Sequence, residues 1–210
     1  MKPQPFTTVS GVAAPMPEDN IDTDIIFPAR FLLLTQREGL GVHAFHDRRY
    51  GPDGSELPGY VLNTAPFRDP AIIVAGANFG SGSSREQAVW ALHGLGTRVV
   101  IAAGLGEIFA GNCLRNSVLP IVLPPPVVAR LLAAAEAGSQ FSIDLEAQEI
   151  RVEGLAKIPF AIPPERRLAL LNGWDETDQI INRHGPRIAA FETAQRASQP
   201  WLYEDKEPAR

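Results

Sequence analysis

Two short, continuous apolar runs flank a glycine-rich stretch and a helical pattern, and this unit constrains the fold more than any other feature. The first run is residues 71–75, and the second lies within a predicted strand over residues 97–103, which is apolar from Val99 to Ala103. Runs of this length without polar alternation are typical of strands buried on both faces of a parallel sheet. Between them, residues 76–82 are glycine-rich and residues 84–95 carry apolar side chains at helical spacing. The unit therefore predicts parallel strands joined by a right-handed crossover, in an α/β fold with a central buried sheet flanked by helices.

Further elements are predicted around this unit. The predicted strands cover residues 6–12, 119–123 and the two arms of a hairpin over 141–152, and the predicted helices cover residues 106–116, 126–138, 163–172 and 177–194, the last interrupted near Gly185 and Pro186. Residues 15–24 are polar and turn-rich and are predicted to form a loop. The length suits one large domain, so we expect residues 1–198 to form a single domain and residues 199–210 a flexible tail.

Charge and cysteine content narrow the possible functions. The formal net charge of −5 argues against a nucleic-acid partner, which would bind a basic face. The single cysteine, Cys113, excludes an internal disulfide and fits a reducing, cytoplasmic location. One thiolate cannot hold an iron–sulfur cluster, which usually takes roughly three or four, and His43, His46 and His93 have no ligand spacing that predicts a metal site. We expect no signal peptide and no membrane span, because no apolar run in the sequence is long enough for one.

The segment between the first buried strand and the helix has the composition of an anion-binding loop. It reads Gly80-Ser81-Gly82-Ser83-Ser84-Arg85-Glu86. Glycines allow the backbone to approach a ligand closely, and the N-terminus of a helix favours negative charge. Arg85 adds a planar fork suited to a carboxylate or a phosphate. The named nucleotide motifs fit poorly, because Ser83 occupies the place of the P-loop lysine and Arg85 that of the third glycine of a dinucleotide fingerprint.

The same residues permit a structural interpretation. Ser83 and Glu86 have the spacing of a capping box, with Ser83 as the N-cap and Glu86 bonding back to it. Spacing alone favours this cap over catalysis. The two interpretations are compatible, because the side chain of a capping serine lies where an anion would bind.

Four segments, in order, resemble the aconitase swivelling domain, and within it the small subunits of 3-isopropylmalate dehydratase. The most specific reads Gly76-Ala-Asn-Phe-Gly-Ser-Gly-Ser-Ser-Arg-Glu-Gln-Ala-Val-Trp-Ala-Leu92. Residues 20–28 resemble the early loop of the family, residues 35–43 its substrate-side loop, and residues 108–120 the helix and strand that follow. The resemblance extends over about residues 6–192 and implies a swivelling β/β/α domain.

The resemblance implies roles for individual residues. Ser83 matches the catalytic base, Ser84 and Arg85 match residues that contact the substrate, and Arg85 and Arg37 would each pair with a substrate carboxylate. For Arg37 the alternative is a solvated loop arginine. Asp22, Thr23 and Asp24 match the early loop near the active site, and for them the alternative is a turn built from short polar side chains.

Two further features of the resemblance concern the substrate. Phe31, Leu32 and Leu33 are candidates for a wall that meets an alkyl substituent, with a role in the core as the alternative. The chain departs from the usual pattern at Gln87, where the family usually has histidine, at Val89, where it often has proline, and at Gly104-Leu105, where a Ser-Phe pair is common. These departures leave the base and the arginine in place but put the exact substrate in question.

The implied activity is that of a hydro-lyase with two subunits. A 4Fe–4S cluster, expected on a large subunit, acts as the Lewis acid for the leaving hydroxyl, while this chain binds no cofactor itself. The implied reaction isomerises 2-isopropylmalate, a hydroxy-dicarboxylate, to 3-isopropylmalate by dehydration and rehydration in leucine biosynthesis. The alternatives are the small subunit of a related enzyme acting on citraconate, dimethylmaleate or homoaconitate, and a non-catalytic anion-binding module.

Overall fold

A computed structural model describes residues 4–34 and 36–203, and in it seven strands form one mixed sheet. The strands are β1 (Thr8–Met16), β2 (Ile72–Ala75), β3 (Val99–Ala102), β4 (Leu119–Val122), β5 (Gln140–Asp144), β6 (Glu149–Val152) and β7 (Ile158–Pro159). Their order is β4-β3-β2-β1-β5-β6-β7, with β1 to β4 parallel and β5, β6 and β7 antiparallel. The predicted parallel pairing of the strands in the crossover unit and the predicted hairpin are both confirmed, while the handedness of the crossover stays a prediction.

Strand β1 joins the parallel and antiparallel halves of the sheet. Its residues 8–12 pair with β5, and its residues 13–16 pair with β2. The loop predicted from residue 15 was therefore wrong at its start, because Pro15 and Met16 continue the strand opposite Val74 and Ala75. Pro15 is tolerated there because this part of β1 is paired on one side, so the missing N–H costs no ladder bond.

Helices between residues 23 and 172 cover both faces of the sheet, and one long helix follows them in the chain. The helices are α1 (Thr23–Ile26), α2 (His46–Arg49), α3 (Glu86–Gly94), α4 (Glu107–Arg115), α5 (Pro125–Glu136), α6 (Pro164–Asn172) and the long helix α7 (Glu176–Ser198). Alternate residues of β2 point to opposite faces, so Ile73 belongs to a core shared with α1, α3 and α4, and Ile72 to one shared with α5 and α6. The predicted α/β fold with a buried central sheet flanked by helices is confirmed.

The chain divides into two compact units, Met1–Gly173 and Trp174–Arg210. In the second, α7 is continuous through Pro186, so the predicted interruption near Gly185-Pro186 was wrong. The fixed φ of proline lies in the helical range, and a capping box at Asp175 stabilises the start of the helix.

The single domain predicted over residues 1–198 stays a prediction. Of the predicted tail, residues 199–203 include a short 3₁₀ turn and residues 204–210 lie outside the described residues. No helix in the described residues has the length and apolarity needed to cross a membrane.

Candidate active site

The glycine-rich segment forms a loop between β2 and α3, at the carboxyl end of the parallel strands. We call residues 76–85 the serine loop. Two neighbouring segments hold its backbone: Gly80 N donates to the Ile21 carbonyl at 2.7 Å on one side, and Phe79 N donates to the Gly104 carbonyl at 3.0 Å on the other. Crevices at the carboxyl ends of parallel strands are the usual ligand sites of α/β sheets. The parallel half of the sheet thus positions the predicted anion-binding loop where a ligand is expected.

Glycine is required at Gly80 by both conformation and space. Its φ is +70°, and a Cβ added there would lie 2.2 Å from the Cγ of Phe109. The segment from β3 approaches just as closely, since a Cβ on Gly106 would lie 2.5 Å from the Gly80 carbonyl oxygen. The departures at Gly104 and Leu105 fit this packing, because Leu105 is half-buried against the core and the Gly104 carbonyl accepts the bond from Phe79.

Ser83 presents its hydroxyl to solvent while its carbonyl is held. The carbonyl accepts from Arg85 N at 2.9 Å and from Thr23 Oγ1 at 3.1 Å. The side chains of Ser83 and Ser84 are exposed, and the Ser83 hydroxyl makes no hydrogen bond to any residue in the described ranges. The loop therefore fixes Ser83 by its backbone and leaves its side chain available to a ligand.

The capping-box interpretation of Ser83 and Glu86 is wrong. The N-cap of α3 is Arg85, with no side-chain capping bond, and the helix begins at Glu86. The tight turn in which Arg85 N bonds to the Ser83 carbonyl replaces the first helical turn predicted from Ser84. Glu86 instead accepts a hydrogen bond from Asn116 at 2.8 Å. Without a side-chain cap, the first N–H groups of α3 have no intrahelical acceptor, which favours an anion in front of the helix.

The three early-loop residues all contact the serine loop or support it. Asp22 caps α1 by accepting from Ile25 N at 2.8 Å and forms a β-bridge with Ser81. Thr23 is buried, and its N donates to the Ser81 carbonyl at 2.9 Å. Asp24 forms an ion pair with Arg85, whose side chain is the less exposed of the two. The structure thus brings the predicted early loop and serine loop together, while direct contact of Asp22, Thr23 and Asp24 with a substrate stays a prediction.

Arg37 lies on the surface of α3. Its guanidinium carbon is 4.4 Å from the centroid of the Trp90 ring. Farther along the same segment, Gly41 meets the end of the helix so closely that a Cβ on it would lie 2.4 Å from the Gly94 carbonyl carbon. Gly41 thus allows a close backbone approach between this segment and the end of α3. Gly39, at φ +79°, takes the left-handed conformation that precedes the 3₁₀ turn Leu40–His43.

The candidate alkyl wall is divided between buried and exposed side chains. Phe31 and Leu32 are half-buried and pack against the core, whereas Leu33 is 90% exposed. The ring of Phe31 stacks on His43 at 4.2 Å between centroids. Burial, and after it electrostatic interaction with His46 and Arg30, lowers the pKa of His43, so this imidazole is neutral at neutral pH. A purely core role for all three residues is wrong, because Leu33 is left open to solvent.

The described residues offer no set of ligands for a metal or a cluster. Within residues 4–34 and 36–203 no three His, Cys, Asp or Glu side chains lie close enough together to hold a metal ion. Cys113 is fully buried on α4, and burial raises the pKa of its thiol. Cluster ligation requires a thiolate with access to the metal, so the described residues do not fit an iron–sulfur cluster.

Three contributors to the site were missed or assigned no site role from the sequence. Asp19 accepts from Ala77 N at 2.6 Å and so fixes the start of the serine loop. Trp90 supports Arg37, and Asn116 bonds to Trp90 Nε1 at 3.1 Å. The spacing of Glu86 and Trp90, one helical turn apart, was a signal that both face the same neighbour, but that neighbour could not be identified from the sequence.

Comparison with family models and curated proteins gives a consistent result. The model of the aconitase C-terminal domain matches residues 3–126, a model described as LeuD_N matches residues 129–164, and the model of the C-terminal domain of 3-isopropylmalate dehydratase small subunits matches residues 183–205. The chain is 48% identical to a 3-isopropylmalate dehydratase small subunit of Rhodospirillum centenum, over 93% of this chain and 97% of that protein. It is 49% identical to one of Gluconacetobacter diazotrophicus, over 93% and 95% of the two chains.

A solved structure is also similar. It is the crystal structure of a 3-isopropylmalate dehydratase (leuD) from Methanocaldococcus jannaschii, with a TM-score of 0.63 and 26% sequence identity. The match covers 88% of this chain and 99% of that one. The similarity in sequence and the similarity in fold therefore lead to the same family.

Proposed function

The chain belongs to the family of 3-isopropylmalate dehydratase small subunits, and from this premise we propose that it supplies the base and the carboxylate-binding arginines for isomerising 2-isopropylmalate to 3-isopropylmalate. It is a hydro-lyase subunit that functions within a heteromeric complex, consistent with leucine biosynthesis. The comparisons favour this activity over a related hydro-lyase and over a non-catalytic module. We further propose that the complex works in the cytoplasm, without nucleic acid.

The exposed Ser83 hydroxyl in front of α3 carries the proposal for the base. Dehydration of a hydroxy-dicarboxylate requires removal of a proton from the carbon next to a carboxylate. A serine hydroxyl is a weak base until its anion is stabilised, and uncapped N–H groups at a helix N-terminus stabilise an anion. Ser83 has a rigid backbone, a side chain free of internal bonds and such a helix behind it. These features suit a serine that gains and loses a proton during each turnover.

Arg85 is proposed to bind one substrate carboxylate beside Ser83. Its ion pair with Asp24 uses part of the guanidinium fork, and an arginine has further N–H donors on the other edge. Asp24 would repel an anionic substrate at short range, so we assign it chiefly to orienting Arg85. Ser84, exposed and adjacent, is proposed to donate a hydrogen bond to the same carboxylate, and Asp22 and Thr23 to shape the loop beneath it.

The remaining chemistry must come from a partner. A 4Fe–4S cluster supplies a Lewis acid for the leaving hydroxyl, and the described residues of this chain do not fit one. We therefore propose that the cluster is held by a large subunit, which covers the face on which Ser83 is exposed, next to Arg85. The substrate would then be enclosed between the two subunits.

Removal of Arg37 is expected to weaken substrate binding more than chemistry. If Arg37 pairs with the second carboxylate, Arg37→Ala in the complex should raise KM by about tenfold to a hundredfold, the effect of one charge-assisted hydrogen bond, with kcat changed little. Steady-state kinetics of the complex measures this. Arg30→Ala is the matched control, because Arg30 also lies over an aromatic ring but its fork is occupied by Asp47. Unchanged KM for Arg37→Ala would identify Arg37 as an ordinary loop residue.

Leu33 provides the test of substrate class. Its exposed side chain suits contact with the alkyl group of the substrate, so Leu33→Asn should lower kcat/KM for 2-isopropylmalate about tenfold relative to a hydroxy acid without the isopropyl group. Stability should hardly change, because the side chain is already 90% exposed. Val122→Asn, at a 58% exposed position on β4, is the control. Equal losses for all hydroxy acids tested would show that Leu33 does not select the alkyl group.

A further inference from the structure

The side-chain amide of Asn116, at the end of α4, forms hydrogen bonds through both its oxygen and its nitrogen. Its Oδ1 accepts from Trp90 Nε1 at 3.1 Å, and its Nδ2 donates to Glu86 Oε1 and to the Asn112 carbonyl, each at 2.8 Å. The indole N–H only donates, and a carboxylate and a carbonyl only accept. The amide can therefore satisfy its neighbours in one orientation alone, and that orientation fixes both neighbours on α3.

Glu86 and Trp90 occupy one face of α3, one helical turn apart. Glu86 is the first residue of the helix and follows Ser83, Ser84 and Arg85 directly. Asn116 therefore ties the first turn behind the serine loop to the tryptophan ring of the next turn. The bond to Glu86 also takes up the side chain that would otherwise be free to cap the helix.

The Trp90 ring in turn contacts the guanidinium of Arg37. The guanidinium carbon lies 4.4 Å from the ring centroid, and stacking on a ring uses the face of the guanidinium, leaving its edge N–H donors free for a carboxylate. Within residues 4–34 and 36–203 the guanidinium makes no ion pair or hydrogen bond. The segment is held again at Gly41, whose backbone packs on Gly94, one turn beyond Trp90. One helix thus provides both supports for the loop.

We propose that Asn116 is a positioning residue that sets the distance between the two carboxylate-binding arginines. It orients the Trp90 ring on which Arg37 rests. Arg85 is held separately, by its backbone bond to Ser83 and its ion pair with Asp24. The bond from Asn116 therefore places Arg37 relative to Arg85. This inference rests on the proposed function of Arg37 and Arg85. Asn116 acts through Trp90 and touches neither the substrate nor the reacting atoms.

The kinetic test uses the complex with the large subunit and a double-mutant cycle. Asn116→Ala should raise KM about threefold to tenfold, the effect of one lost hydrogen bond, with kcat changed less than about twofold. In the Arg37→Ala background Asn116→Ala should raise KM no further, because its effect passes through Arg37. Asn112→Ala is the control on the same helix, because the Asn112 side chain accepts from Arg115, whereas the indole N–H of Trp90 donates to Asn116. An equal rise in KM with and without Arg37 would overturn the proposal.

A second readout separates this proposal from the proposed function. In the free full-length chain, the indole N–H resonance of Trp90, assigned by its loss in Trp90→Phe, should shift in both Asn116→Ala and Arg37→Ala, while those of Trp174 and Trp201 stay in place. An unshifted Trp90 resonance in Asn116→Ala would overturn the positioning role. Shifted resonances with a normal KM for Arg37→Ala would instead refute the carboxylate-binding role of Arg37, and the positioning role with it.

A second variant covers the case in which Asn116→Ala fails to fold. Trp90→Phe removes the indole donor and keeps an aromatic ring, so it should show the same rise in KM. A normal KM for Trp90→Phe would overturn the proposal.

Discussion

Replacing Ser83 with alanine is expected to lower kcat of the complex by about a hundredfold to ten-thousandfold, the usual contribution of a positioned general base. The structure indicates that this substitution removes the hydroxyl and leaves the backbone contacts of Ser83 in place. Within residues 4–34 and 36–203, the bonds that anchor Ser83 use its carbonyl, which accepts from Arg85 N and Thr23 Oγ1, and alanine retains that carbonyl. The side chain is exposed, so the free energy of unfolding should change by no more than about 0.5 kcal/mol. Steady-state kinetics and thermal unfolding measure the two effects.

The neighbouring Ser84 provides the control for this prediction. Ser84→Ala removes an equally exposed hydroxyl from the same turn, but one assigned to substrate contact, so it should act mainly on KM. A nearly normal kcat for the Ser83→Ala complex would show that Ser83 is not the base. A lowered melting temperature with normal kcat would instead indicate a structural role for Ser83. The structure does not predict that result, because no side-chain capping bond is present at α3.

Replacing Arg85 with lysine is expected to lower kcat/KM about tenfold to a hundredfold, although the charge is kept. Lysine presents a point charge and cannot hold Asp24 and a substrate carboxylate with two edges of one planar group. The expected loss corresponds to about 1.5–3 kcal/mol for a charge-assisted hydrogen bond. Kinetics of the complex with 2-isopropylmalate measures it.

Arg68 offers a matched control for the arginine fork. It makes a bidentate pair with Glu56, at 2.8 and 2.6 Å, on an exposed part of the surface. Arg68→Lys should leave kcat/KM unchanged, since exposed pairs contribute little. If Arg85→Lys is as active as the unaltered complex, the planar fork of Arg85 does not bind the substrate.

The elements predicted best from the sequence were those whose signal is local. The strands around residues 71–75 and 97–103 and the hairpin over 141–152 follow from apolar runs and alternation, and the sheet contains all of them. The antiparallel pairing of β1 with β5 was not predicted, because it joins segments more than a hundred residues apart and leaves no periodic trace in either.

The candidate site was predicted in its residue types but not in its contacts. The motif around Ser83 predicts an anion-binding loop, which stays a prediction. Spacing wrongly favoured a capping box, because Glu86 bonds instead to Asn116, at the end of another helix. Similarly, Asp24 was assigned to the substrate without its partner Arg85, and Arg37 without the ring of Trp90. Tertiary contacts decide which of several satisfactory local bonds a polar side chain makes.

We propose that this chain completes an active site whose cluster lies on a large subunit. The most direct test is to assay conversion of 2-isopropylmalate by the purified chain alone and after reconstitution with a cluster-loaded 3-isopropylmalate dehydratase large subunit, recording the iron–sulfur absorbance of each sample. We expect no turnover and no iron–sulfur absorbance for the chain alone, and both for the reconstituted pair. Turnover by the chain alone, or an intact pair with a loaded cluster that leaves 2-isopropylmalate unchanged, would contradict this proposal.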